Sequence, residues 1–175
     1  MHARTARLVL RPFTPDDADA LFAYLGDPEV VRFEPYGPMA QDEAVTEAAR
    51  REQDPRFIAV ERIEDGRLVG HVYRSPIAQP AWRTWTIGYV FHPQFGGQGY
   101  ATEATRAVID DCFTVEDAHR VTARCDPRNE RSWRLLDRVG MRREGHERQC
   151  ASFTDGPDGQ PVWHDAYLYG VLAQE

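Results

Sequence analysis

A glycine-rich turn between a strand and a helix constrains this 175-residue chain more than any other feature. Residues 94–101 read Gln-Phe-Gly-Gly-Gln-Gly-Tyr-Ala, after an apolar run at 87–91 and before a segment with helical spacing. Glycines remove Cβ atoms where a backbone has to approach another group closely. The helix start adds free N–H groups and a partial positive charge. The segment therefore predicts a phosphate-binding turn, although a glycine turn alone is equally typical of a tight turn without a ligand.

Two common phosphate-binding motifs do not fit this turn. A P-loop needs Gly-Lys followed by Ser or Thr, and no such sequence follows the glycines. The dinucleotide motif G-x-G-x-x-G needs a third glycine, but Thr102 stands three positions after Gly99. A βαβ unit that opened at residue 87 would also lie unusually late in the chain. The turn therefore belongs to neither class.

The spacing Gln94-x-x-Gly97-x-Gly99 resembles the pyrophosphate loop of the GNAT acyltransferases, which hold acetyl-CoA. Downstream, residues 126–132 read Asp-Pro-Arg-Asn-Glu-Arg-Ser and lead into a short apolar segment that ends in Gly-Met. An Asn-x-x-Ser motif before a short helix that ends in Gly resembles the RimJ/RimL-type branch of this family. The resemblance runs from residue 87 to 141 and extends more loosely to 7–13 and 163–165.

The resemblance implies an α/β (α+β) fold with a mixed, mostly antiparallel sheet of about seven strands, flanked by helices, whose central strands splay apart. No linker is long enough to divide the chain, which favours a single domain over residues 1–175. Alternating apolar residues and turn signals predict strands at 6–13, 57–63, 68–74, 84–91, 121–125, 143–153 and 162–172. Caps and helical spacing predict helices from Thr14 onward and at 42–53, 101–115 and 132–139.

Acetyl-CoA is the co-substrate that the resemblance implies, with no metal. In the family, the strand before the glycine loop pairs with the pantetheine arm, and a backbone N–H near Val90 would face the thioester oxygen. Val90 and Phe91 also fit a plain strand core, His92 a strand end, and Asn129 a helix N-cap. The expected cofactor-binding residues are Val90, Phe91, His92, Phe95, Gly96, Gly97, Gln98, Gly99, Tyr100, Ala101, Asn129 and Ser132.

The resemblance implies that Ser132 is the residue that donates a hydrogen bond or a proton to the leaving thiolate. Many GNAT enzymes place a Tyr seven residues after the motif Asn as the acid, but here that position is Leu136, which cannot donate a proton. RimJ/RimL-type proteins use the Ser three residues after the Asn, and Ser132 matches it. The alternative is a surface serine in a first helical turn. A thiol with a pKa near 8.5 leaves readily, so a hydrogen bond is sufficient.

An alkylammonium acceptor has to lose a proton to a base, and the sequence offers five candidates for it. We select Glu144, on the strand after the short helix, as catalytic. The other candidates are His146, Glu147, Asp165 and Glu34. Each of the five also fits a solvated surface charge.

The loop at residues 33–38 follows the first helical region, which in the family covers the acceptor site. The expected acceptor-binding residues are Phe33, Glu34, Tyr36 and Trp85, although aromatic residues of this kind also fit core or rim positions. The branch tends to carry an acid where this chain has Thr86 and a Trp where it has Gly96. These departures indicate an altered acceptor groove or loop.

The composition excludes several classes of partner. A net charge of −7 argues against nucleic-acid binding and suits a cationic partner, although simple solubility explains it as well. No apolar run approaches the ~20 residues of a membrane span, and residues 1–5 lack the apolar stretch of a signal peptide. Three widely spaced cysteines imply neither disulfides nor a zinc site. We expect a cytoplasmic protein without a membrane partner, and its oligomeric state is open, with a homodimer as one option.

These observations predict an acetyl-CoA-dependent N-acetyltransferase. The acceptor would be a primary amine, either a protein N-terminus or a small molecule, that attacks the thioester directly in a ternary complex. The main alternative is a catalytically silent module that binds or senses acyl-CoA, because Leu136 replaces the usual acid and the base is unidentified. A nucleotide-binding α/β domain is the third option.

Overall fold

One mixed β-sheet of eight strands organises residues 1–174, the part of the chain that the computed structural model describes. The strands are β1 (Ala3–Arg4), β2 (Leu8–Arg11), β3 (Phe57–Arg62), β4 (Leu68–Pro76), β5 (Thr84–Phe91), β6 (Arg120–Cys125), β7 (Arg142–Asp155) and β8 (Pro161–Leu172). The α-helices are α1 (Ala18–Leu25), α2 (Pro28–Val31), α3 (Gln41–Glu52), α4 (Tyr100–Thr114) and α5 (Glu130–Arg138). Short 3₁₀ helices span Pro15–Asp17, Pro80–Trp82 and Pro93–Phe95.

The strand order is β1-β2-β3-β4-β5-β6-β8-β7. All neighbouring strands are antiparallel except β5 and β6, which are parallel and are connected through α4. This confirms the expected mixed, mostly antiparallel sheet flanked by helices. The sheet has one strand more than the expected seven or so. The extra strand is the two-residue β1, which precedes the strand expected at 6–13 and pairs with it as β2.

The parallel strands β5 and β6 separate along their length. Their pairing runs only from Thr84 opposite Arg120 to Ile87 opposite Ala123. Beyond that point β5 continues to Phe91 paired only with β4, and β6 continues to Cys125 paired only with β8. The backbone groups that face each other across this split lack a strand partner there, and buried backbone groups need one. The expected splay of the central strands is therefore present.

Apolar side chains bury both faces of the sheet. Neighbouring residues on one strand point to opposite faces, so Val60 joins the larger cluster beneath α4 and α5, while Ala59 joins the smaller one beneath α1 and α3. Leu136 of α5 is fully buried in the larger cluster. Its position seven residues after Asn129 is therefore a core position without hydrogen-bonding capacity, as the sequence indicated.

Element boundaries shift by a few residues from the sequence expectation. The helix expected from Thr14 starts as a 3₁₀ turn, and α1 proper begins at Ala18. The helix α5 begins at Glu130, two residues before the expected start, because Asn129 caps it. The short helix α2 was not expected from the sequence. Cys112 and Cys125 are buried as free thiols, as expected from their apolar surroundings.

A buried hydrogen bond between α1 and β4 gives a first prediction. The Tyr24 hydroxyl lies 2.8 Å from Nδ1 of His71, and both side chains are buried. Replacing Tyr24 by Phe leaves that ring nitrogen unpaired in the core, so Tyr24→Phe should lower the free energy of unfolding by about 1–3 kcal/mol. Urea denaturation at pH 7.5 measures the change.

The control is Tyr73→Phe on the same strand as His71. Tyr73 is half-buried, and its hydroxyl makes only a 3.5 Å contact to the exposed Arg56. We expect a change below about 0.5 kcal/mol for this variant. Equal losses in the two variants would contradict the assignment of a stabilising role to the Tyr24–His71 bond.

Candidate active site

The glycine turn adopts backbone geometry that only glycine tolerates well. Gly97 and Gly99 have φ angles of 74° and 82°, in the left-handed region. Gly99 is the N-cap of α4, so the first N–H groups of this helix lie at the turn without an intrahelical partner. No atom lies within 4 Å of the position that a Cβ on Gly97 would occupy. The turn therefore presents open space beside main-chain donors at a helix N-terminus.

A cavity of about 850 Å³ opens at this turn. Its wall contains seven of the expected cofactor-binding residues: Phe91, Phe95, Gly96, Gly97, Gly99, Tyr100 and Ala101. The wall also contains residues that the sequence analysis did not single out: Thr5, Arg7, Thr102, Glu103, Arg106, Ala107, Asp110 and Arg138. The helical spacing of Thr102 and Arg106 was the available signal, since residues four apart share a helix face.

Five expected cofactor residues lie outside this cavity, and three of them, Val90, His92 and Gln98, line neither of the two cavities along β5. Val90 packs into the smaller core cluster, which agrees with the alternative interpretation of this residue as part of a strand core. His92 accepts a hydrogen bond from the Gln94 N–H through Nδ1 and so caps the short 3₁₀ turn. The Gln98 carbonyl accepts a hydrogen bond from the Arg7 side chain at 2.8 Å, which fixes the position of the turn. These side chains shape the strand end and the turn.

A second cavity, of about 290 Å³, lies at the split between β5 and β6. Its wall combines residues from both strands with the start of α5, the loop after α2 and the β7–β8 hairpin. Asn129 and Ser132 line this cavity together, along with Ile87, Gly88, Tyr89, Ala123, Arg124 and Cys125. Neighbouring parts of β5 thus line both cavities.

A tyrosine that the sequence analysis missed contacts Ser132. The Tyr89 hydroxyl lies 3.0 Å from Oγ of Ser132 and 3.0 Å from its backbone oxygen. Burial raises the pKa of Tyr89, so its hydroxyl stays protonated near neutral pH. Asn129 caps α5 by accepting a hydrogen bond from the Ser132 N–H at 3.2 Å. A hydroxyl in an apolar strand just before the turn was the only sequence signal for Tyr89, and its partner lies 43 residues away.

Only two of the four expected acceptor residues line the same cavity. Phe33 and Glu34 line the 290 Å³ cavity. Tyr36 lies outside its wall and is 40% exposed, but a hydrogen bond from Tyr36 is among the influences on the pKa of Glu34. Trp85 is not in the wall: it packs against the larger core cluster, and Arg74 lies over its ring at 5.3 Å. Trp85 lies two residues before Ile87, the first residue of β5 in this wall, so the structure does not bring it together with Phe33 and Glu34.

Glu34 is electrostatically distinct among the carboxylates of this cavity. Burial raises its pKa to about 7, opposed by the hydrogen bond from Tyr36 and the charge of Arg51. Asp126 is ion-paired with Arg128, and Asp165 lies 2.7 Å from His146. Hydrogen bonds hold the pKa of Asp165 below its usual range. Within residues 1–174, Glu34 makes no ion pair, so it is the carboxylate best matched to proton transfer near neutral pH.

Glu144, the base selected from the sequence, lies elsewhere. It is not in the wall of either cavity, and Arg120 donates hydrogen bonds to both of its carboxylate oxygens. The hydrogen bond from Arg120 lowers the pKa of Glu144, which makes it a weaker base. This geometry speaks against Glu144. Glu147 is similarly paired with Arg124, and His146 with Asp165.

Within residues 1–174, no three His, Cys, Asp or Glu side chains are arranged to hold a metal ion. None of the helices in that range has both the length and the apolar character needed to cross a bilayer.

Comparisons with known proteins agree with this geometry. The profile of the family described as "Acetyltransferase (GNAT) domain" matches residues 7–142. The "uncharacterized N-acetyltransferase YnaD" of Bacillus subtilis is 34% identical over 178 residues, which cover 100% of this chain and 99% of that protein. The chain therefore belongs to the GNAT acetyltransferase family and is an N-acetyltransferase, and enzymes of this family use acetyl-CoA.

Solved structures show the same fold. The crystal structure of a GNAT-family acetyltransferase from Bacillus anthracis has a TM-score of 0.89 and 31% identity, with 100% of both chains covered. A spermidine N-acetyltransferase from Vibrio cholerae, solved in complex with CoA and spermine, has a TM-score of 0.78 with 97% of this chain and 98% of that chain covered. Its 18% identity makes it evidence for the fold alone.

The glycine turn gives a second prediction, with a matched control in the same chain. Gly97→Ala places a methyl group in the open space of the turn, where it would displace one main-chain hydrogen bond to a diphosphate. Such a loss should weaken CoA binding about tenfold or more in isothermal titration calorimetry. The control is Gly159→Ala in the β7–β8 hairpin, which has a nearly identical φ of 73° and equally open surroundings.

Both substitutions should cost about 1–2 kcal/mol of stability through the same backbone strain. Only Gly97→Ala should affect CoA binding. Unchanged CoA affinity in the folded Gly97→Ala protein would contradict the placement of the diphosphate at this turn.

Proposed function

We propose that this chain acetylates a primary amine by direct attack of the amine on acetyl-CoA, both bound at once in the two neighbouring cavities along β5. The observation that carries the proposal is the pair of cavities along β5: one at the glycine turn, the other lined by Glu34, a carboxylate with a raised pKa and no ion pair within residues 1–174. The two cavities provide separate places for donor and acceptor, as a ternary complex requires.

The residues at the turn fit the donor. A diphosphate is an anion that helix N-termini and left-handed glycine turns bind well. The open space at Gly97 allows close approach, and the α4 N-terminus contributes unpaired N–H groups. The unpaired backbone edges of β5 and β6 beyond Ile87 and Ala123 suit an extended arm with amide groups. When bound, acetyl-CoA supplies the acetyl thioester that the amine attacks.

The acceptor cavity suits a cation. Its wall includes the carboxylates of Glu34, Asp126 and Asp165 and the aromatic rings of Phe33 and Phe153. Carboxylates and ring faces both attract an alkylammonium group. Arg128 pairs with Asp126, and His146 with Asp165, which leaves Glu34 as the carboxylate that can respond to an incoming charge.

Glu34 is the general base of the proposal. An alkylammonium with a pKa near 10 has to lose one proton before its nitrogen lone pair can form the N–C bond. Glu34 accepts that proton, directly or through water, since its raised pKa makes it a stronger base than an ordinary carboxylate. The proton then returns to solvent. This role replaces the one that the sequence suggested for Glu144.

Ser132 and Tyr89 serve the leaving group. As the N–C bond forms, the C–S bond breaks and its electron pair goes to sulfur. Ser132 donates a hydrogen bond to that sulfur, and the Tyr89 hydroxyl, 3.0 Å from both Oγ and the backbone oxygen of Ser132, holds this residue in place. The nitrogen loses its second proton to solvent as the amide forms, and the departing thiolate takes one proton from solvent or from Ser132, which solvent then reprotonates. The products are therefore the amide, the free thiol and one released proton. Because the phenol stays protonated, the pair remains a donor throughout the physiological pH range.

Two kinds of primary amine are candidates for the acceptor: a protein N-terminus, as in RimJ/RimL-type enzymes, and a small-molecule amine. The β7–β8 hairpin contributes Cys150, Phe153, His164 and Asp165 to the cavity wall, so it limits the size of the acceptor. Assays with a peptide that has a free N-terminus and with a linear polyamine distinguish the two.

The base assignment gives a third prediction. Below pH 7, Glu34 gains a proton and can no longer accept one, so kcat/KM should fall as the pH drops through about 7. Glu34→Gln should lower kcat/KM about 100-fold and remove this acidic limb. The measurement is the pH profile of acetylation for the wild type and the variant with a saturating donor.

Glu144→Gln is the control, because Glu144 is exposed, paired with Arg120 and outside both cavities. This variant should keep the rate and the acidic limb. The reverse result, with Glu144→Gln slow and Glu34→Gln normal, would restore the base selected from the sequence.

The leaving-group pair gives a fourth prediction. Ser132→Ala should lower kcat by about tenfold or more while the Kd for CoA stays within a factor of about two, since Asn129 still caps α5 through the backbone N–H of residue 132. Tyr89→Phe should lower kcat by a smaller factor, because Ser132 keeps its hydroxyl. Single-turnover kinetics and calorimetry measure the two effects. Loss of CoA binding with an unchanged kcat would show that both residues act only in binding.

A further inference from the structure

Two arginines in the 850 Å³ cavity lack a carboxylate partner within residues 1–174. Arg106 on α4 donates a hydrogen bond at 2.8 Å to the backbone oxygen of Arg138 on α5. Arg138 makes only a 3.4 Å contact from Nε to the Thr102 hydroxyl. Both side chains are exposed and belong to the cavity wall. In a chain with net charge −7, two uncompensated guanidinium groups at one site indicate an anionic ligand.

The third arginine of the wall has a structural task instead. Arg7 is ion-paired with Glu103 at 2.7 Å, donates to the Gln98 carbonyl and lies over the Tyr100 ring. These contacts fix the glycine turn to β2 and neutralise both charges. Asp110 is then the one carboxylate of the wall that opposes Arg106 and Arg138. The two arginines outweigh it by one charge.

The two guanidinium groups lie next to the turn. Thr102 is in the first turn of α4, and Arg106 follows it by four residues on the same face. Arg106 is seven residues after Gly99, so about two helical turns, roughly 10 Å, separate it from the end of the glycine turn. The contact between Arg138 and Thr102 brings the second guanidinium to the same place. The glycines of the turn and the two arginines line the same cavity, so a ligand with its diphosphate on the turn has both guanidinium groups within its site.

We propose that Arg106 and Arg138 bind the 3′-phosphate of coenzyme A and make the donor site selective for CoA over 3′-dephospho-CoA. The inference rests on the proposed function, because it requires the diphosphate of CoA at the glycine turn. One ribose separates the two phosphate groups of this ligand. A phosphate monoester carries nearly two negative charges at pH 7, and guanidinium groups bind it with paired, charge-assisted hydrogen bonds.

The test compares two ligands that differ by this one phosphate. Calorimetry with wild-type protein should give a Kd for CoA about tenfold or more below that for 3′-dephospho-CoA. In the variant Arg106→Gln/Arg138→Gln, the affinity for CoA should fall to that for 3′-dephospho-CoA, while the affinity for 3′-dephospho-CoA stays unchanged. The advantage of CoA in the wild type should also shrink with added salt.

Arg134→Gln is the matched control. Arg134 is on the same helix as Arg138, one turn earlier, but it pairs with Glu130 and is outside the cavity wall. This variant should keep the full preference for CoA. Thermal unfolding verifies that each variant is folded, and the comparison of the two ligands in the wild type needs no variant.

The outcomes separate this inference from the proposed function. Equal wild-type affinities for the two ligands would overturn the phosphate site while leaving the enzyme assignment intact. An equal loss of both ligands in the double variant would also overturn it, because the arginines would then act on the shared part of the ligand. If neither ligand binds the wild type, the proposed donor site itself is wrong.

Discussion

The separation of β5 from β6 is the constraint on which the site depends. Two parallel strands that stay paired would satisfy each other's backbone groups and leave nothing for a ligand. Here the pairing stops at Ile87 and Ala123, while each strand keeps its other neighbour to the end. The sheet therefore remains intact on both sides of the opening. The hydrogen bonds from the Tyr89 hydroxyl to Ser132 join the end of β5 to the start of α5 across this region.

Charge is distributed differently in the two cavities along β5. The donor cavity has main-chain donors at a helix N-terminus and two arginines without acidic partners within residues 1–174. The wall of the acceptor cavity has three carboxylates, which outnumber its two arginines, Arg32 and Arg124. Anionic and cationic ligands are thus attracted to different cavities of one acidic protein. Overall net charge predicts neither preference, because most of the charged groups are already paired.

The glycine turn, the order of the elements and the fold could be predicted because local spacing encodes them. The partners of the individual side chains depend on register and strand order, which local spacing does not encode. Glu144 reaches Arg120 across β8, at Gly170, where a Cβ would lie within 2.6 Å of both side chains. A glycine on the intervening strand thus makes room for an ion pair between residues 24 apart. Nothing in the local sequence around Glu144 shows that its charge is already compensated.

Glu34 illustrates the opposite case. Its sequence context, a proline-rich loop, suggests a solvated carboxylate, yet the fold places it in a cavity wall where desolvation outweighs the opposing influences of Tyr36 and Arg51. Desolvation depends on what packs around the group, and those residues come from β5, β6 and the β7–β8 hairpin. An acceptor ammonium that enters the cavity stabilises the charged form of Glu34 and so lowers its pKa. The carboxylate therefore loses part of its basicity just as the substrate binds, and recovers it once the ammonium has given up its proton.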